Sequence, residues 1–205
     1  MSFILFDTEY TTWKGCQEKG WHGWQKREIV QIGALKVSDE LRVVAEFSRL
    51  CRPVVNPIVS DYFTSLTHIT NEQIQREGIL FPEMFSDFTA FVGNDVCFSH
   101  AWGRGFLYAA DGQVMKENLK IHHLPPDLSL KYRNIAAVFK RLYKENNIPI
   151  THQASGEIVG LLGLKHPLWE RKLKPHDALF DVYSLLEGLK YFGDSRKTLL
   201  RHLNF

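Results

Sequence analysis

Short apolar runs alternate with polar segments along the chain, and the first run predicts a central strand. Residues 3–6 are Phe-Ile-Leu-Phe, and Asp7-Thr8-Glu9-Tyr10 follows at once. An apolar run of this length with aromatic and β-branched members is typical of a buried strand. Two β-rich runs follow at residues 28–37 and 42–50, with the turn-forming segment Ser38-Asp39-Glu40 between them. We therefore expect strands one to three to form an antiparallel meander.

Later apolar positions recur at helical spacing, as Met84, Phe88 and Phe91 do. Helices are predicted over residues 71–76, 83–92, 109–119, 132–146, 155–162 and 177–191, and further strands over residues 95–99 and 125–130. Thr70 is the expected N-cap of the first of these helices. This order predicts one α/β domain over residues 1–205, with a mixed five-stranded sheet flanked by helices.

Asp7 and Glu9 lie two positions apart at the end of the first predicted strand. Side chains alternate faces along a strand, so both carboxylates point the same way. Neighbouring carboxylates repel each other, and burial makes both harder to ionise. A cation between them removes both penalties, and hard oxygen ligands select Mg²⁺ or Mn²⁺. A strand that ends in solvated acids is the alternative interpretation.

A second acidic segment contains His176, Asp177 and Asp181. Asp177 begins the last predicted helix, where the helix dipole favours a carboxylate, and we interpret it as a solvated helix-start charge. Asp181 lies one turn further on the same side, near the edge of the buried stripe. His176 precedes the helix, and a neutral imidazole suits proton abstraction from water near pH 7. The alternatives are a surface acid for Asp181 and a structural role for His176.

Composition and charge are those of an ordinary globular protein of 205 residues. The net charge of +2 is too small to indicate nucleic-acid binding, but an acidic centre can offset a basic rim. The cysteines Cys16, Cys51 and Cys97 are scattered and form no C-x-x-C motif, which favours a reducing compartment and a cytoplasmic location. We find no signal-peptide pattern and no apolar run of membrane-spanning length.

Together, the two acidic segments resemble motifs of the DEDDh exonucleases, the RNase H-like group that includes proofreading exonucleases, RNase T and the Eri-type RNA exonucleases. Phe6-Asp7-Thr8-Glu9 is similar to the first family motif, and residues 176–181 (His-Asp-Ala-Leu-Phe-Asp) are similar to the third. Leu66-Thr67-His68-Ile69-Thr70 is similar to the family's Leu-Thr-Gly-Ile-Thr segment, and residues 155–164 to the helix before the third motif. The resemblance covers nearly the whole chain.

The second family motif is altered in this chain. The family usually places an Asp a few residues after strand four, at the head of the next helix. Here Ser99-His100-Ala101-Trp102-Gly103 follows that strand, similar to the Eri-type branch, and residues 104–109 come before the next acid. Asp111 is the only acid between that strand and Glu117, so we assign it by exclusion and by its helix position. A helix-start Asp without a metal role is the alternative.

The resemblance implies two divalent ions, Mg²⁺ or Mn²⁺, held by Asp7, Glu9, Asp111 and Asp181. Two ions can clamp the attacking and leaving oxygens of an in-line displacement at phosphorus. His176 would then remove the proton of the attacking water. The implied activity is 3′–5′ hydrolysis of single-stranded nucleic acid, RNA or DNA, to nucleoside 5′-monophosphates. The implied partners are single-stranded 3′ ends, with no membrane.

The residues expected to contact substrate are Thr8, Tyr10, Trp13, Leu66 and Thr67. By the resemblance, main chain near the first of these meets the terminal sugar, and the segment of residues 66–70 borders the terminal base. The two aromatic residues are candidates for stacking on bases. The basic residues of segment 14–27 and Arg104 are candidates for phosphate contacts.

Three other functions are compatible with the same residues. The first is a proofreading-type DNA exonuclease that acts bound to a polymerase. The second is a catalytically inactive exonuclease fold that serves as a nucleic-acid or protein binding module, which the displaced Asp111 keeps open. The third is a metal-dependent phosphatase that uses the same acids on small esters. Cleavage of mononucleotide esters but not of oligomers would favour the phosphatase.

Overall fold

The computed structural model describes residues 2–102, 110–126, 129–150, 152–171 and 173–193. Within these residues the backbone forms one mixed six-stranded sheet, with strand order β4-β3-β2-β1-β5-β6. The strands are β1 (Ser2–Tyr10), β2 (Ile29–Ser38), β3 (Val43–Arg52), β4 (Ile79–Leu80), β5 (Val96–Ser99) and β6 (Lys131–Asn134).

The predicted antiparallel meander of the first three strands is confirmed. β1 pairs antiparallel with β2, and β2 pairs antiparallel with β3, whereas β5 is parallel to β1 and β6 is parallel to β5. β1 thus has a neighbour on each side, and every residue from Phe3 to Glu9 is buried. This central position explains why its first half is continuously apolar.

The sheet differs from the predicted five strands at its two edges. β4 consists only of Ile79 and Leu80, paired with the end of β3, and two residues are too few to show a strand period. Of the strand predicted over residues 125–130, residues 127–128 lie outside the described residues and the others are not in a strand. The pairing with β5 is made by β6 instead. The sequence of β6 has no apolar run, because only Tyr132 of this strand packs against the core.

Eight α-helices lie within the described residues: α1 (Cys16–Lys19), α2 (Asp61–Thr67), α3 (Asn71–Glu77), α4 (Phe81–Val92), α5 (Ala110–Ile121), α6 (Ala136–Glu145), α7 (Ile158–Leu161) and α8 (Ala178–Phe192). Thr70 caps α3 as predicted. α6 begins four residues later than predicted, because β6 occupies residues 131–134. The helix predicted over residues 155–162 is a 3₁₀ turn at residues 155–157 followed by α7. α2 was not predicted, although Ser60 caps it by accepting a hydrogen bond from the N–H of Phe63 at 3.0 Å.

The sheet is covered by helices on both faces. Phe3 and Leu5 of β1 pack in one apolar cluster with α6 and α8, while Ile4 and Phe6 pack in the other with α4 and α5. Alternate residues of β1 therefore pack into two separate apolar clusters on opposite faces of the sheet, because side chains alternate faces along a strand. Among the residues that can be described, no helix combines the length and the apolar character needed to cross a membrane.

Candidate active site

The carboxylates of Asp7 and Glu9 lie at the C-terminal end of β1, where they are buried on the same side of the strand. The backbone register shifts between Glu9 and Tyr10, so regular pairing with β2 ends directly after the second acid. Both acids line a cleft of about 520 Å³. Asp111, His176 and Asp181 line the same cleft. The structure therefore brings together all five residues that the sequence assigned to catalysis or metal binding.

Asp111 reaches the cleft from the first turn of α5. Its Oδ1 accepts hydrogen bonds from the backbone N–H of Thr8 at 3.2 Å and from the Thr8 hydroxyl at 2.6 Å. These two bonds join residues 103 positions apart and place the carboxylate directly beside the acidic end of β1. Asp111, the acid assigned by exclusion, thus lies in the same cleft as the two acids of β1.

Asp181 reaches the cleft from the first turn of α8 and is held by three neighbours. The hydroxyl of Ser155 donates to Oδ2 at 2.9 Å, and the backbone N–H of His176 donates to Oδ1 at 3.2 Å. A Cβ on Gly156 would lie 2.4 Å from Oδ1, so this carboxylate requires glycine there. Ligand atoms of Glu9, His176 and Asp181 lie within 4.8 Å of one another.

The N-terminus of α8 is fixed to the sheet through β2. The side-chain oxygen of Gln31 accepts from the backbone N–H of Ala178 at 2.9 Å, and its Nε2 donates to Asp177 at 3.0 Å. Asp177 in turn caps α8 by accepting from the N–H groups of Leu179 and Phe180. Asp177 is therefore a bonded helix cap and not a freely solvated charge. A Cβ on Gly33 would lie 2.4 Å from the carbonyl carbon of Ala178, so α8 touches the backbone of β2 itself.

The acids of the cleft oppose one another's ionisation. Burial, followed by the charges of the neighbouring acids, raises the pKa of Asp7 and of Glu9 well above the usual values. Burial also raises the pKa of Asp181 to about 7 and raises that of Asp111, although the hydrogen bonds from Thr8 oppose the latter shift. Clustered buried carboxylates that repel one another are a suitable donor set for a hard divalent cation, so these residues fit the predicted Mg²⁺ or Mn²⁺.

His176 lies at the rim of the acidic cluster in a left-handed backbone conformation, with φ of 67°. Positive φ is uncommon for a residue with a side chain and marks a backbone that its surroundings impose. Burial lowers the pKa of the imidazole, so the ring is neutral near pH 7 and able to accept a proton.

The structure divides the predicted substrate residues into two groups. Thr8, Tyr10 and Leu66 line the cleft. Trp13 does not line it and packs edge-on against Trp24, with ring centroids 4.9 Å apart. Thr67 is buried and donates to the carbonyl of Phe63 at 3.0 Å, so its hydroxyl is used within α2. Arg104 lies outside the described residues.

Several cleft residues were not identified from the sequence. The cleft is also lined by Thr12, Tyr62, His100, Trp102, His152, Gln153 and Ser155. Ser155 stands in the segment similar to the family's helix before the third motif, and His100 in the segment after strand four, so both positions carried a signal. His152 and Gln153 lie in an irregular segment without periodicity, and nothing in the sequence marks them.

The family profile of the RNase T type, described as Exonuclease, matches residues 4–187. The chain therefore belongs to this exonuclease family. No curated protein sequence matches the chain.

Three solved structures illustrate the fold. The nuclease domain of 3′hExo, a DEDDh family member bound to rAMP, has a TM-score of 0.69 at 17% identity, covering 96% of this chain and 94% of that one. A 3′-exonuclease described in the recognition of a histone mRNA stem-loop has a TM-score of 0.71 at 16% identity, covering 96% and 65%. E. coli exonuclease I in complex with a dT13 oligonucleotide has a TM-score of 0.70 at 16% identity, covering 98% of this chain and 43% of that one. The chain thus spans under two thirds of the last two proteins and shares the fold of the DEDDh 3′-exonucleases.

Proposed function

We propose that this protein is a 3′–5′ exonuclease that hydrolyses phosphodiester bonds of single-stranded RNA or DNA and releases nucleoside 5′-monophosphates. The observation that carries the proposal is the convergence of four buried carboxylates, from β1, α5 and α8, beside a half-buried histidine in one cleft. We assign residues 1–205 to a single exonuclease domain. Three cysteines that are all free support a reducing, cytoplasmic location.

The metal ligands in this proposal are Asp7, Glu9, Asp111 and Asp181, and they would hold two Mg²⁺ or Mn²⁺ ions. Such ions, when bound, supply positive charge at the scissile phosphate and make water a better nucleophile. The protein's own contribution is to hold the four carboxylates in place before substrate arrives. The bonds from Thr8 to Asp111 and from Ser155 to Asp181 do this.

His176 is the general base of the proposed reaction. Its ring is neutral near pH 7 because burial lowers its pKa, so it can take the proton of the attacking water. The bond from its backbone N–H to Asp181 ties the position of the histidine to that of an acid. The proton acceptor and one of the four proposed metal ligands, Asp181, therefore belong to one segment at the start of α8.

The terminal nucleoside of the substrate is assigned to the side of the cleft formed by α2. Tyr10 and Leu66 line the cleft there and offer an aromatic ring and an aliphatic side chain. Contact with a ring face is tolerant of base identity, which suits an enzyme that removes one nucleotide after another. Thr8 also lines the cleft, and we assign its main chain to contact with the terminal sugar.

The test uses single-stranded RNA and DNA oligonucleotides labelled at the 3′ or 5′ end, incubated with the protein in Mg²⁺, Mn²⁺ or EDTA. We expect a metal-dependent ladder that shortens from the 3′ end, absent in Asp111→Asn and retained in Asp87→Asn. Asp87 is an exposed acid of α4 and provides the matched control. A metal-loaded, folded protein that cleaves no oligonucleotide would contradict the proposal and favour the binding module. Activity retained in Asp111→Asn would contradict the assignment of the second-motif acid.

A further inference from the structure

Two buried nitrogen atoms on the β5 side of the cleft have no hydrogen-bond partner. They are Nε2 of His100 and Nε2 of Gln153, and both residues line the cleft. Gln153 is only 1% exposed. Buried polar atoms are paired in the great majority of cases, so two unpaired ones at the same end of a cleft call for an explanation. Within the part of the chain that the structure describes, neither atom has a protein partner to account for it.

The amide of Gln153 is held in one orientation by Tyr143. The Tyr143 hydroxyl donates to Oε1 of Gln153. Burial raises the pKa of Tyr143, so the phenol keeps its proton and acts as the donor. Because the carbonyl oxygen of the amide is engaged in this way, the NH₂ group remains on the other side as an unused donor.

Hydrogen bonds to the neighbouring backbone and a ring contact position His100. The amide of Asn134 clamps the next residue, accepting from the N–H of Ala101 and donating to its carbonyl, both at 2.9 Å. The imidazole stacks on Trp102 at a centroid distance of 6.1 Å and an interplanar angle of 21°. Burial, together with the nearby His152, lowers the pKa of the ring to about 4, so the ring is uncharged. An uncharged imidazole nitrogen donates or accepts, depending on the tautomer.

A fixed amide donor and an uncharged imidazole that line the same cleft fit a hydroxyl group better than a phosphate. A hydroxyl both donates and accepts, so it can satisfy the amide and either tautomer of the imidazole. A phosphate oxygen only accepts and is usually bound by charged donors. On a nucleic acid strand the hydroxyl that meets this description is the ribose 2′-OH, which DNA lacks.

The strand order identifies the nucleotide concerned. β1 carries the first two acids and lies between β2 and β5. α2, to which the proposed function assigns the terminal nucleoside, packs on the β2 and β3 side through Phe63, Val30 and Leu50. His100 follows β5 on the other side. If the scissile phosphate lies at the acids, the nucleoside beyond it lies on the side of His100 and Gln153.

We propose that His100 and Gln153 bind the 2′-hydroxyl of the penultimate nucleotide and make the enzyme prefer RNA at that position. Tyr143 is a positioning residue that acts through the Gln153 amide. This inference rests on the proposed 3′–5′ exonuclease function, and it specifies the substrate class.

The experiment measures the first cleavage of a short oligoribonucleotide under single-turnover conditions in Mg²⁺. Three altered substrates carry a 2′-deoxy group at the penultimate nucleotide, a 2′-fluoro group there, or a 2′-deoxy group at the third nucleotide. The fluoro substrate retains a ribose-like sugar conformation but cannot donate a hydrogen bond. For the wild-type protein we expect both penultimate changes to lower kcat/KM by more than about tenfold, because the contacts to both residues are weakened or lost, and the third-nucleotide change to lower it less than about twofold.

Gln153→Met links the effect to the amide. This variant keeps the length of the side chain and removes the donor, so it should slow the all-ribose substrate about tenfold and leave the rate on the penultimate deoxy substrate unchanged. Gln75→Met, at an exposed position of α3, is the matched control and should leave all rates unchanged. His100→Asn provides a second variant at the same end of the cleft, and Tyr143→Phe should reduce the ribose preference while retaining cleavage.

Two results would overturn the inference alone. One is equal wild-type rates on the ribose, deoxy and fluoro substrates, a measurement that needs no variant to fold. The other is a Gln153→Met variant that slows ribose and deoxy substrates equally, which would indicate a structural role. Absence of trimming of every oligonucleotide would instead overturn the proposed function, so the two failures are distinguishable.

Discussion

Two kinds of buried carboxylate lie at the same end of the sheet. One is a single acid surrounded by hydrogen-bond donors, and the other is a group of four acids that face one another. Glu28, just before β2, is 1% exposed and accepts hydrogen bonds from the backbone N–H groups of Val54, Val55 and Asn56 at 2.6, 2.8 and 2.6 Å. The four acids of the cleft face one another, and their pKa values are raised by burial, in Asp7 and Glu9 also by mutual repulsion. Glu28 is satisfied by the protein and stabilises it, whereas the cleft acids need a partner that the protein does not supply.

Asp7→Asn should produce the largest effect on the cleft acids, lowering the cleavage rate and raising the thermal stability. At the proposed metal site an uncharged amide is a weaker ligand than a carboxylate, so we expect the cleavage rate in Mg²⁺ to fall by about 10³-fold. The same change removes a buried negative charge from the cluster, so the midpoint of thermal unfolding in EDTA at pH 8 should rise. Initial rates and unfolding curves measure the two effects. A variant that is inactive and also less stable than wild type would mean that Asp7 stabilises the fold.

The free energy of unfolding of Asp181→Asn and of the wild type in EDTA should differ in its dependence on pH. The pKa of Asp181 is about 7 in the folded protein and about 4 when unfolded, so the folded state binds more protons between these values. The contribution of Asp181 to the free energy of unfolding is therefore fully present below about pH 4. It is lost as the pH rises through 7, by up to about 4 kcal/mol.

The variant lacks this loss, so its advantage over the wild type in free energy of unfolding should grow from pH 4 to pH 8. His100 has a lowered pKa and acts in the opposite direction, but it is present in both proteins and cancels. Urea unfolding at each pH measures the difference. An advantage that is constant with pH would contradict the raised pKa of Asp181.

Glu28→Gln should lower stability and leave the cleavage rate nearly unchanged, whereas Asp7→Asn should lower the rate and raise stability. The amide offers one acceptor oxygen where three N–H groups require two, and it turns a donor towards them. We expect a loss of about 3 kcal/mol in stability and about 10 °C in unfolding midpoint. The rate of the folded enzyme at low temperature should change less than about threefold. A large loss of rate without loss of stability would place Glu28 among the functional acids.

The smallest expected effect is stabilisation by the metal itself. Mn²⁺ at about one hundred times its dissociation constant should stabilise the wild type by about 2.7 kcal/mol, because binding favours the folded state. Glu28→Gln should gain the same increment, and Asp181→Asn should gain less. Unfolding midpoints with and without Mn²⁺ provide the measurement. Equal gains in the wild type and both variants would mean that the ion binds elsewhere.

Sequence patterns predicted well those features that depend on local period. The strand period placed Asp7 and Glu9 on one side of β1, and the helix position of Asp111 in the first turn of α5 was correct. The antiparallel meander followed from two β-rich runs and one turn. These features share a physical cause: the side chains alternate or recur because one face is buried.

Other features depend on contacts between distant segments and leave no local pattern. β6 has a polar sequence and is a strand only because β5 pairs with it. Gln153 lines the cleft and accepts a hydrogen bond from the hydroxyl of Tyr143, although its own segment is irregular. α2 depends on a single cap at Ser60 within a segment that two prolines make irregular. Such positions can be found only once the tertiary structure is known.

The contact between Gly33 and Ala178 limits how the cleft can adapt. Because α8 meets β2 at backbone distance, the wall of the cleft that carries His176 and Asp181 cannot move closer to the sheet. Every substrate therefore meets the same surface on the α8 side of the cleft.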